Sequence, residues 1–434
     1  MKYYQNEFPI KNTIHLTTLM KLRISLLICS ILSLSSCNGQ SHKRVLQPSP
    51  TGTPSGKLVV PKPTYNIYLE NSGSMNGYVQ SQAEFKETVG NFLTDIEIND
   101  LAKSINLNYI NSKILPIGLN IPSFINSLNP KSFINAGGKI TSTDISKMLK
   151  SILDRTDDGC ISIFISDCVF SPDKGVSAQE YLVNQQLEIK SNFAQKLNVL
   201  SYSTMILRLT ARFVGTFFNC SNLTTQIDAQ RPYYIWIIGK HEYIKELFEK
   251  VDLRNFKGGG VRNFYCLNNK KTTFSFAILN SPNFERDKAN IKYQITNAKN
   301  ITAGLHMGEF QISFGINLKD ALIDDEYILD CLNYTIPANY KIEVKLSPIP
   351  VYTHIITMTT KNVKSQIINI KLKNELPHWV SLNNSINDTQ IKMGEEMNKT
   401  FGIKNLIEGV FEAYLAKKKG KTDEPIFEIE ISIN

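Results

Sequence analysis

The sequence lacks the patterns that mark zinc enzymes, common hydrolases and nucleic-acid-binding proteins. Its six histidines are scattered, with no HxH or HExxH spacing, which argues against a zinc enzyme. No block of lysine and arginine is interleaved with aromatic residues, so the formal net charge of +9 does not by itself indicate nucleic-acid binding. There is no GxSxG motif, and the glycine-rich stretch KGGGVRN has neither the strand nor the helix of a phosphate loop.

Repeats and biased composition are also absent. Glycine and proline are too infrequent for a collagen-like or wholly disordered chain, and no internal repeat is evident. A chain of 434 residues is too long for one compact core, so we expect two or three domains.

Cysteines are few and match no zinc-ligand spacing. After Cys37, five remain at positions 160, 168, 220, 266 and 331, and an odd number cannot all pair within one chain. They are either buried free thiols or, in an exported chain, members of one or two disulfides. Cys160 and Cys168 flank a single predicted strand, which would hold them too far apart to bond to each other.

The N-terminal segment has the features of a processing signal. From Met20 it reads MKLRISLLICSILSLSSC, with a short basic stretch, an apolar run too short to span a membrane, and small residues before Cys37. This resembles a bacterial lipoprotein signal peptide with the lipobox LSSC. The resemblance implies that residues 1–36 are removed, with Met20 as the true start, and that Cys37 is acylated on its thiol and amine. An ordinary secretion signal is the alternative.

The residues after Cys37 predict a tether and suggest a location. Segment 37–63 is rich in proline, serine, threonine and glycine, which is typical of a flexible linker. Frequent lysine and asparagine together with a lipobox resemble lipoproteins of Gram-negative bacteria of the Bacteroidota type. Surface lipoproteins of that group usually have acidic residues after the lipidated cysteine, which CNGQSHKR lacks. We therefore expect an anchor in the outer membrane on its periplasmic face, with the cell surface as the alternative.

Strand and helix patterns alternate between residues 64 and 268. Strand candidates include YNIYLE, STMILRLTARFV, CISIFISD and YYIWIIG. One helical stripe consists of Ile145, Met148, Leu149 and Ile152. This alternation predicts an α/β domain with a doubly wound, mostly parallel sheet.

Strand patterns dominate residues 269–434. Runs such as EFQISFGINL, KIEVKLSPIP and QIINIKLKNE have period-2 or β-branched character and are separated by turn residues. They predict a β-rich, sandwich-like domain. One C-terminal helix, IKNLIEGVFEAYLAKK, and a final strand, IFEIEISIN, complete the pattern.

Polar residues follow or precede three elements of the α/β domain. Glu70, Ser72 and Ser74 come after the first strand, Thr143 lies just before a helix, and Asp167 ends the most apolar strand. In α/β sheets, ligands bind beyond the carboxyl ends of the strands, so we expect these side chains to converge. Three hydroxyls and two carboxylates suit Mg²⁺, which prefers hard oxygen ligands. Taken singly, the same residues are ordinary turn formers and helix caps.

The three segments resemble, in the same order, the metal-ion-dependent adhesion site of von Willebrand factor A domains. ENSGSM is similar to the family's DxSGS segment, STD to its threonine segment and FISD to its aspartate segment, and the resemblance covers about residues 62–250. It implies a site for Mg²⁺, or else Mn²⁺ or Ca²⁺, with hydroxyl ligands and with carboxylates that hold the ion directly or through water. The implied site consists of Glu70, Ser72, Ser74, Thr143 and Asp167. Glu70 stands where the family has Asp, and Cys168 where it usually has Gly.

The resemblance implies a binding protein, not an enzyme. An ion held in this way keeps an open position, which an acidic group on a partner protein would fill. The first alternative is a metal-assisted hydrolase of phosphate or glycan esters with Ser72 or Ser74 as nucleophile, but no histidine lies near these segments to act as general base. The second alternative is a scaffold whose metal site is degenerate.

Overall fold

A seven-stranded mixed sheet organises the first part of the folded chain. The computed structural model describes residues 61–80, 84–140, 144–172, 175–253, 260–269, 274–279, 298–301, 309–364, 366–389, 391, 394–418 and 424–433. The strands of this sheet are β1 (Thr64–Glu70), β2 (Ser104–Ile110), β3 (Ile114–Pro116), β4 (Cys160–Ser166), β5 (Ser203–Phe218), β6 (Thr224–Gly239) and β7 (Val261–Leu267). Their spatial order is β3-β2-β1-β4-β6-β5-β7. The predicted α/β character is confirmed.

The prediction of a mostly parallel sheet is wrong. Only β1 pairs in parallel, with β2 on one side and β4 on the other. The β2–β3, β4–β6, β5–β6 and β5–β7 pairings are antiparallel. The reason is a long hairpin: β5 and β6 pair along their whole length, from Ser203 opposite Gly239 to Phe218 opposite Thr224. Two strands joined by so short a turn can only run antiparallel.

Helices cover both faces of this sheet. The helices of the described residues are α1 (Asn76–Gln80), α2 (Glu84–Ile98), α3 (Ile121–Ser127), α4 (Pro130–Ile134), α5 (Ile145–Arg155), α6 (Ala178–Val199), α7 (His241–Lys250), α8 (Asp325–Leu329), α9 (His378–Leu382) and α10 (Ile403–Lys417). One core contains Ile67 of β1 with apolar residues of α2, α3, α4 and α7, whereas the other contains Tyr68 with residues of α5, α6, α9 and α10. Neighbouring residues of β1 therefore enter opposite cores, as the alternation of a strand requires.

Helix α10 packs against α6, on the sheet of the α/β part. The Asn405 amide donates to the side chain of Gln186 at 2.9 Å, and the Tyr414 and Thr204 hydroxyls lie 2.9 Å apart. A methyl group built on Gly409 would lie only 2.7 Å from the backbone oxygen of Gln186, so glycine permits the close approach of the two helices. Residues 60–434 form one compact unit. The predicted limits at 1–36, 37–63, 64–268 and 269–434 stay predictions.

Two four-stranded sheets share a third core. One contains β8 (Ser275–Leu279), β10 (Phe310–Asn317), β12 (Lys341–Leu346) and β13 (His354–Thr360); the other contains β9 (Ala298–Ile301), β11 (Tyr334–Thr335), β14 (Gln366–Leu372) and β17 (Phe427–Ile433). Apolar residues of β10 and β13 meet those of β14 and β17 in a single cluster, which is the arrangement of a sandwich. In β17 the isoleucines are buried while Glu428 and Glu430 are exposed. Burial of each isoleucine stabilises the fold by about 1.5–3 kcal/mol.

Shorter elements connect these layers. Strands β15 (Asn384–Ser385) and β16 (Thr400–Phe401) form a two-stranded parallel ladder. Single 3-10 turns span Lys319–Ala321, Cys331–Asn333 and Gly394–Asn398. The five cysteines from position 160 onwards are free thiols. Cys37 and the whole predicted signal peptide lie outside the described residues.

Candidate functional site

The first and third predicted segments lie side by side at one edge of the mixed sheet. Glu70 is the last residue of β1, Asp167 directly follows β4, and the two strands are paired in parallel. Strands β2 and β3 are added on one side of β1, whereas β4 is added on the other side, so the order of strands along the chain changes direction between β1 and β4. Ligands in open α/β sheets bind at such a point.

The middle segment is only partly described. Thr143 lies outside the described residues, so its role as a ligand stays a prediction. Asp144 is the N-cap of α5 and accepts a hydrogen bond from the backbone N–H of Lys147 at 3.1 Å. Although burial raises its pKa, hydrogen bonds from Lys147 and Ser146 lower it more, and the pKa of Asp144 lies below its usual value.

Two hydroxyls and a carboxylate meet in front of β1 and β4. The side-chain oxygens of Ser72 and Ser74 lie 2.9 Å apart, and Ser74 is close enough to the Asp167 carboxylate to lower its pKa. Ser72 and Asp167 are buried, whereas Ser74 is half-exposed. The structure thus brings three of the predicted ligands together, with Ser74 as the member that reaches the surface.

Glu70 has a different environment from these three residues. Its carboxylate is fully buried and accepts a hydrogen bond from the hydroxyl of Ser166, the last residue of β4. A buried carboxylate needs hydrogen-bond donors to offset the loss of water, and Ser166 supplies one. The longer side chain of glutamate therefore reaches across to the neighbouring strand.

The charge of Asp167 is held in a water-excluded position. Burial raises its pKa to about 6 despite opposing hydrogen bonds from the backbone of Val169 and from Ser74 and despite the positive charge of Arg231. The Val169 N–H to Asp167 Oδ1 distance is 3.2 Å. Such a carboxylate gains from any cation that enters its surroundings.

The turn after Asp167 is conformationally restricted. Cys168 has a φ of 56°, in the left-handed region where glycine is ordinarily favoured. Its backbone N–H donates to the Ser166 hydroxyl at 2.7 Å, and its sulfur accepts from the indole N–H of Trp236 at 3.3 Å. Cys168 thus adopts a backbone conformation that glycine favours, with one hydrogen bond from its backbone and one to its buried sulfur.

The far half of the β5–β6 hairpin covers the opening loop. A methyl group built on Gly73 would lie 3.6 Å from the ring of Phe218, and one built on Gly77 would lie 2.4 Å from the ring of Phe213. Gly77 is thus required for the close approach of the hairpin to α1. The hairpin limits access to the buried residues of the site.

Arg231 is a component of the site region that the sequence reasoning missed. It lies on β6, is 2% exposed, donates to the backbone oxygen of Met397 at 3.2 Å and stacks on the Phe217 ring at 4.6 Å. A single arginine directly before the apolar run PYYIWIIG was the available signal, since arginine is almost never fully buried unless it is paired.

Comparisons with known proteins identify no relative of this chain: no protein-family model, curated protein or solved structure matches it. Within the described residues, no group of three or more histidine, cysteine, aspartate or glutamate side chains could hold a metal ion. The predicted ligand set has only two carboxylates. None of the described helices is long and apolar enough to cross a membrane.

Proposed function

We propose that this protein binds a partner protein through a divalent cation held at the carboxyl ends of β1 and β4. The observation that carries this proposal is the contact of Ser74 with both Ser72 and Asp167, which gathers three oxygen atoms from two adjacent loops. Mg²⁺ favours such ligands and commonly keeps several waters. A cation would also offset the cost of burying the Asp167 carboxylate, so the residues fit the ion.

The ligands have distinct roles in this proposal. Ser72, Ser74 and Asp167 would hold Mg²⁺, or Mn²⁺ or Ca²⁺, together with Thr143 from the undescribed segment. Glu70, whose carboxylate already accepts a bond from Ser166, would contact the ion through water. The ion supplies a positive charge with an open position for an acidic group of the partner. Access would be from the side of Ser74, which is half-exposed.

The finer fold assignment belongs to the same proposal. We infer a von Willebrand factor A-like arrangement for the α/β part, supported by the central position of β1 between β2 and β4 and by helices on both faces. The antiparallel β6, β5 and β7 depart from a mostly parallel sheet. The described residues proposed as ligands lie at or just after the carboxyl ends of the parallel strands β1 and β4, whereas Arg231 and the hairpin belong to the antiparallel part.

A metal titration tests the proposal. We expect saturable binding of Mg²⁺ and Mn²⁺ to the purified chain by calorimetry, and loss of at least about tenfold in affinity on Asp167→Ala, since one charge-assisted contact is worth about 1.5–3 kcal/mol. Asp158→Ala is the matched control, because Asp158 lies beyond the other end of β4 and pairs with Lys240 at 2.8 Å. Absence of metal binding to the unsubstituted chain would contradict the proposal. It would favour the alternative of a scaffold protein with a degenerate metal site.

The membrane anchor is a separate part of the proposal. We propose that Cys37 is acylated and tethers the protein to the outer membrane, on its periplasmic face. The mass of the mature N-terminal peptide decides this, since acyl chains add a defined mass to Cys37. A mature N-terminus without them contradicts the anchor and leaves the cation site unaffected.

The Ser74–Asp167 contact also favours a second candidate function. A hydroxyl beside a buried carboxylate is the start of a nucleophile and general-base pair. A metal-assisted hydrolase would then use Ser74, or Ser72 beside it. Metal-dependent turnover of a generic ester or phosphoester that is lost in Ser74→Ala would favour this candidate over partner binding.

A further inference from the structure

A polar pocket lies at the same end of the mixed sheet as the candidate cation site. It has a volume of about 400 Å³ and is lined by side chains of β5, β6, β7, α2 and the C-terminal segments, including Arg208, Thr210 and Arg262. Ser166 is paired with Tyr234, and Tyr234 with Arg208. Two strand spacings of about 4.8 Å therefore place the Arg208 backbone roughly 10 Å from that of Ser166. We call this the arginine pocket.

Arg208 is a buried cation without a carboxylate partner. It is 7% exposed, and its Nη2 donates to the backbone oxygen of Asn398 at 3.3 Å. Its Nε has no hydrogen-bond partner. Within the described residues, no acidic side chain lies within ion-pair distance of it. A buried charge without a partner is costly, so this arrangement favours an anion from outside the chain.

A β-bulge adds a second arginine to the pocket. In the β5–β7 ladder Arg208 is opposite Asn263, but Leu209 is opposite Val261, so Arg262 is the extra residue. Bulges redirect a side chain and are frequent next to functional sites. The charge of Arg262 adds to burial in lowering the pKa of Arg208, whereas Tyr234 and Glu326 oppose this effect. Two guanidinium groups that repel each other are stabilised by an anion between them.

The acidic residue of the pocket, Glu84, already accepts several hydrogen bonds. Glu84 accepts hydrogen bonds from the backbone N–H of Arg212 at 2.7 Å and from the amide of Gln230 at 2.9 and 3.1 Å. The other lining residues, Thr210, Gln230, Asn383 and Asn398, are uncharged. The pocket therefore carries more positive than negative charge.

We propose that the arginine pocket binds an oxyanion, the phosphate or carboxylate group of a small ligand, between Arg208 and Arg262. The planar guanidinium group is suited to both groups because it presents parallel N–H donors. This site is distinct from the proposed cation site and does not depend on a metal ion.

Anion titrations of the purified full chain test the proposal. Inorganic phosphate and acetate are added separately at constant ionic strength, and binding is followed by calorimetry and by the shift in melting temperature. Saturable binding of either anion supports the proposal, and a preference for one identifies the oxyanion. Absence of saturable binding by both overturns it.

Substitutions locate the bound anion. Arg262→Gln, at an exposed position, should weaken binding at least about tenfold, because it removes charge-assisted hydrogen bonds. Arg212→Gln is the matched control, since Arg212 is an exposed arginine on the neighbouring strand β5 that is already bound to Asp228 at 2.7 and 2.8 Å. The affinity of the Arg212→Gln variant for the anion should be unchanged. Equal weakening by both substitutions would mean general attraction to surface charge and would overturn the proposal.

A variant of the buried arginine provides an independent check. Arg208→Lys keeps the charge but loses the planar donor group, so we expect a folded protein with weaker anion binding. Melting in the absence of anion shows whether the variant is folded. Wild-type affinity in a folded Arg208→Lys variant would contradict the role of Arg208.

Discussion

The Ser166 hydroxyl connects Glu70 with the turn that carries Asp167. It donates a hydrogen bond to the Glu70 carboxylate and accepts one from the backbone N–H of Cys168 at 2.7 Å. Both Ser166 and Glu70 are fully buried. One short side chain on β4 thus fixes the positions of both predicted carboxylate ligands.

Removing this hydroxyl should destabilise the fold. Ser166→Ala leaves the buried Glu70 without this donor and the Cys168 N–H without its acceptor, so we expect the free energy of unfolding to fall by about 1–3 kcal/mol. Urea denaturation at neutral pH measures the change. Ser162→Ala is the control: Ser162 is also fully buried on β4, but its hydroxyl pairs with the neutral Thr156 hydroxyl at 2.7 Å. An equal loss in both variants would contradict a special role for Ser166.

Two helical glycines should respond oppositely to alanine. In Gly409→Ala the new methyl group would lie 2.7 Å from the backbone of Gln186, so α6 and α10 must separate, at a cost of about 1–3 kcal/mol. In Gly90→Ala the nearest atoms belong to the Ile125 side chain at 3.5 Å, an ordinary contact, so the better helix former should stabilise α2 by about 0.5–1 kcal/mol. Thermal or urea unfolding distinguishes the signs, and stabilisation by Gly409→Ala would contradict the close packing.

The turn at Cys168 should not tolerate glycine, despite its left-handed backbone. Cys168→Gly relieves about 1 kcal/mol of backbone strain but leaves the buried indole N–H of Trp236 without its acceptor, which costs about 1–3 kcal/mol. We therefore expect net destabilisation. Asp100→Gly is the comparison, because Asp100 also has a positive φ but makes only an exposed ion pair with Lys62, and the substitution should be close to neutral. A stabilising Cys168→Gly would show that the strain exceeds the value of the Trp236 contact.

Asp388 should make stability depend on pH. It is 4% exposed, one of its oxygens accepts from the Cys220 N–H at 2.7 Å, and the other has no hydrogen-bond partner. Burial raises its pKa, while contacts with Cys220 and the charge of Arg231 lower it less strongly. The folded state therefore holds this proton more tightly than the unfolded state. The stability that Asp388 contributes is fully present below its pKa in the unfolded state, about 3.9. This stability is lost as pH rises through its raised pKa in the folded state.

Replacing Asp388 isolates this effect. Asp388→Asn keeps an acceptor for Cys220 and removes the charge, so its stability relative to the unsubstituted protein should improve as pH rises from the acid range to neutrality. Urea denaturation at several pH values measures the difference. A relative stability that is independent of pH, or that falls with rising pH, would contradict a raised pKa.

Local periodicity predicted much of the chain correctly. The stripe of Ile145, Met148, Leu149 and Ile152 is buried along α5, as its spacing indicates. Most apolar residues of the predicted C-terminal helix are buried as well, although Phe411 is only partly so. These helices could be predicted from the sequence because the amphipathic face of each one is visible in the local spacing of apolar residues.

The topology of the sheet could not be predicted from local sequence patterns in the same way. Buried strands read as apolar runs whether their neighbours are parallel or antiparallel, so YYIWIIG gave no information on its partners. The first half of β6, TTQIDAQ, is polar and largely exposed, which is why the sequence indicated a strand only from Tyr233. The hairpin and its cover over Gly73 were therefore missed.

The candidate site was predictable where it depends on loops at strand ends. The proximity of Ser72 and Ser74 follows from their spacing, and that of Asp167 from the pairing of two adjacent strands. Although a single arginine before an apolar run was a signal for Arg231, its position and that of Phe218 beside the site could not be predicted, because both belong to a hairpin that packs against residues distant in sequence.

The position of α10 has a consequence for the order in which the protein can be assembled during synthesis. Asn405 and Gln186, which join α10 to α6, are 219 residues apart. Until residues 403–417 have left the ribosome, part of the apolar surface that includes Phe193 and Trp236 remains without its cover. Nascent chains that stall or are cleaved before Ile403 would expose this surface and become substrates for chaperones or proteases, so the quality of the product depends on its C-terminal segment.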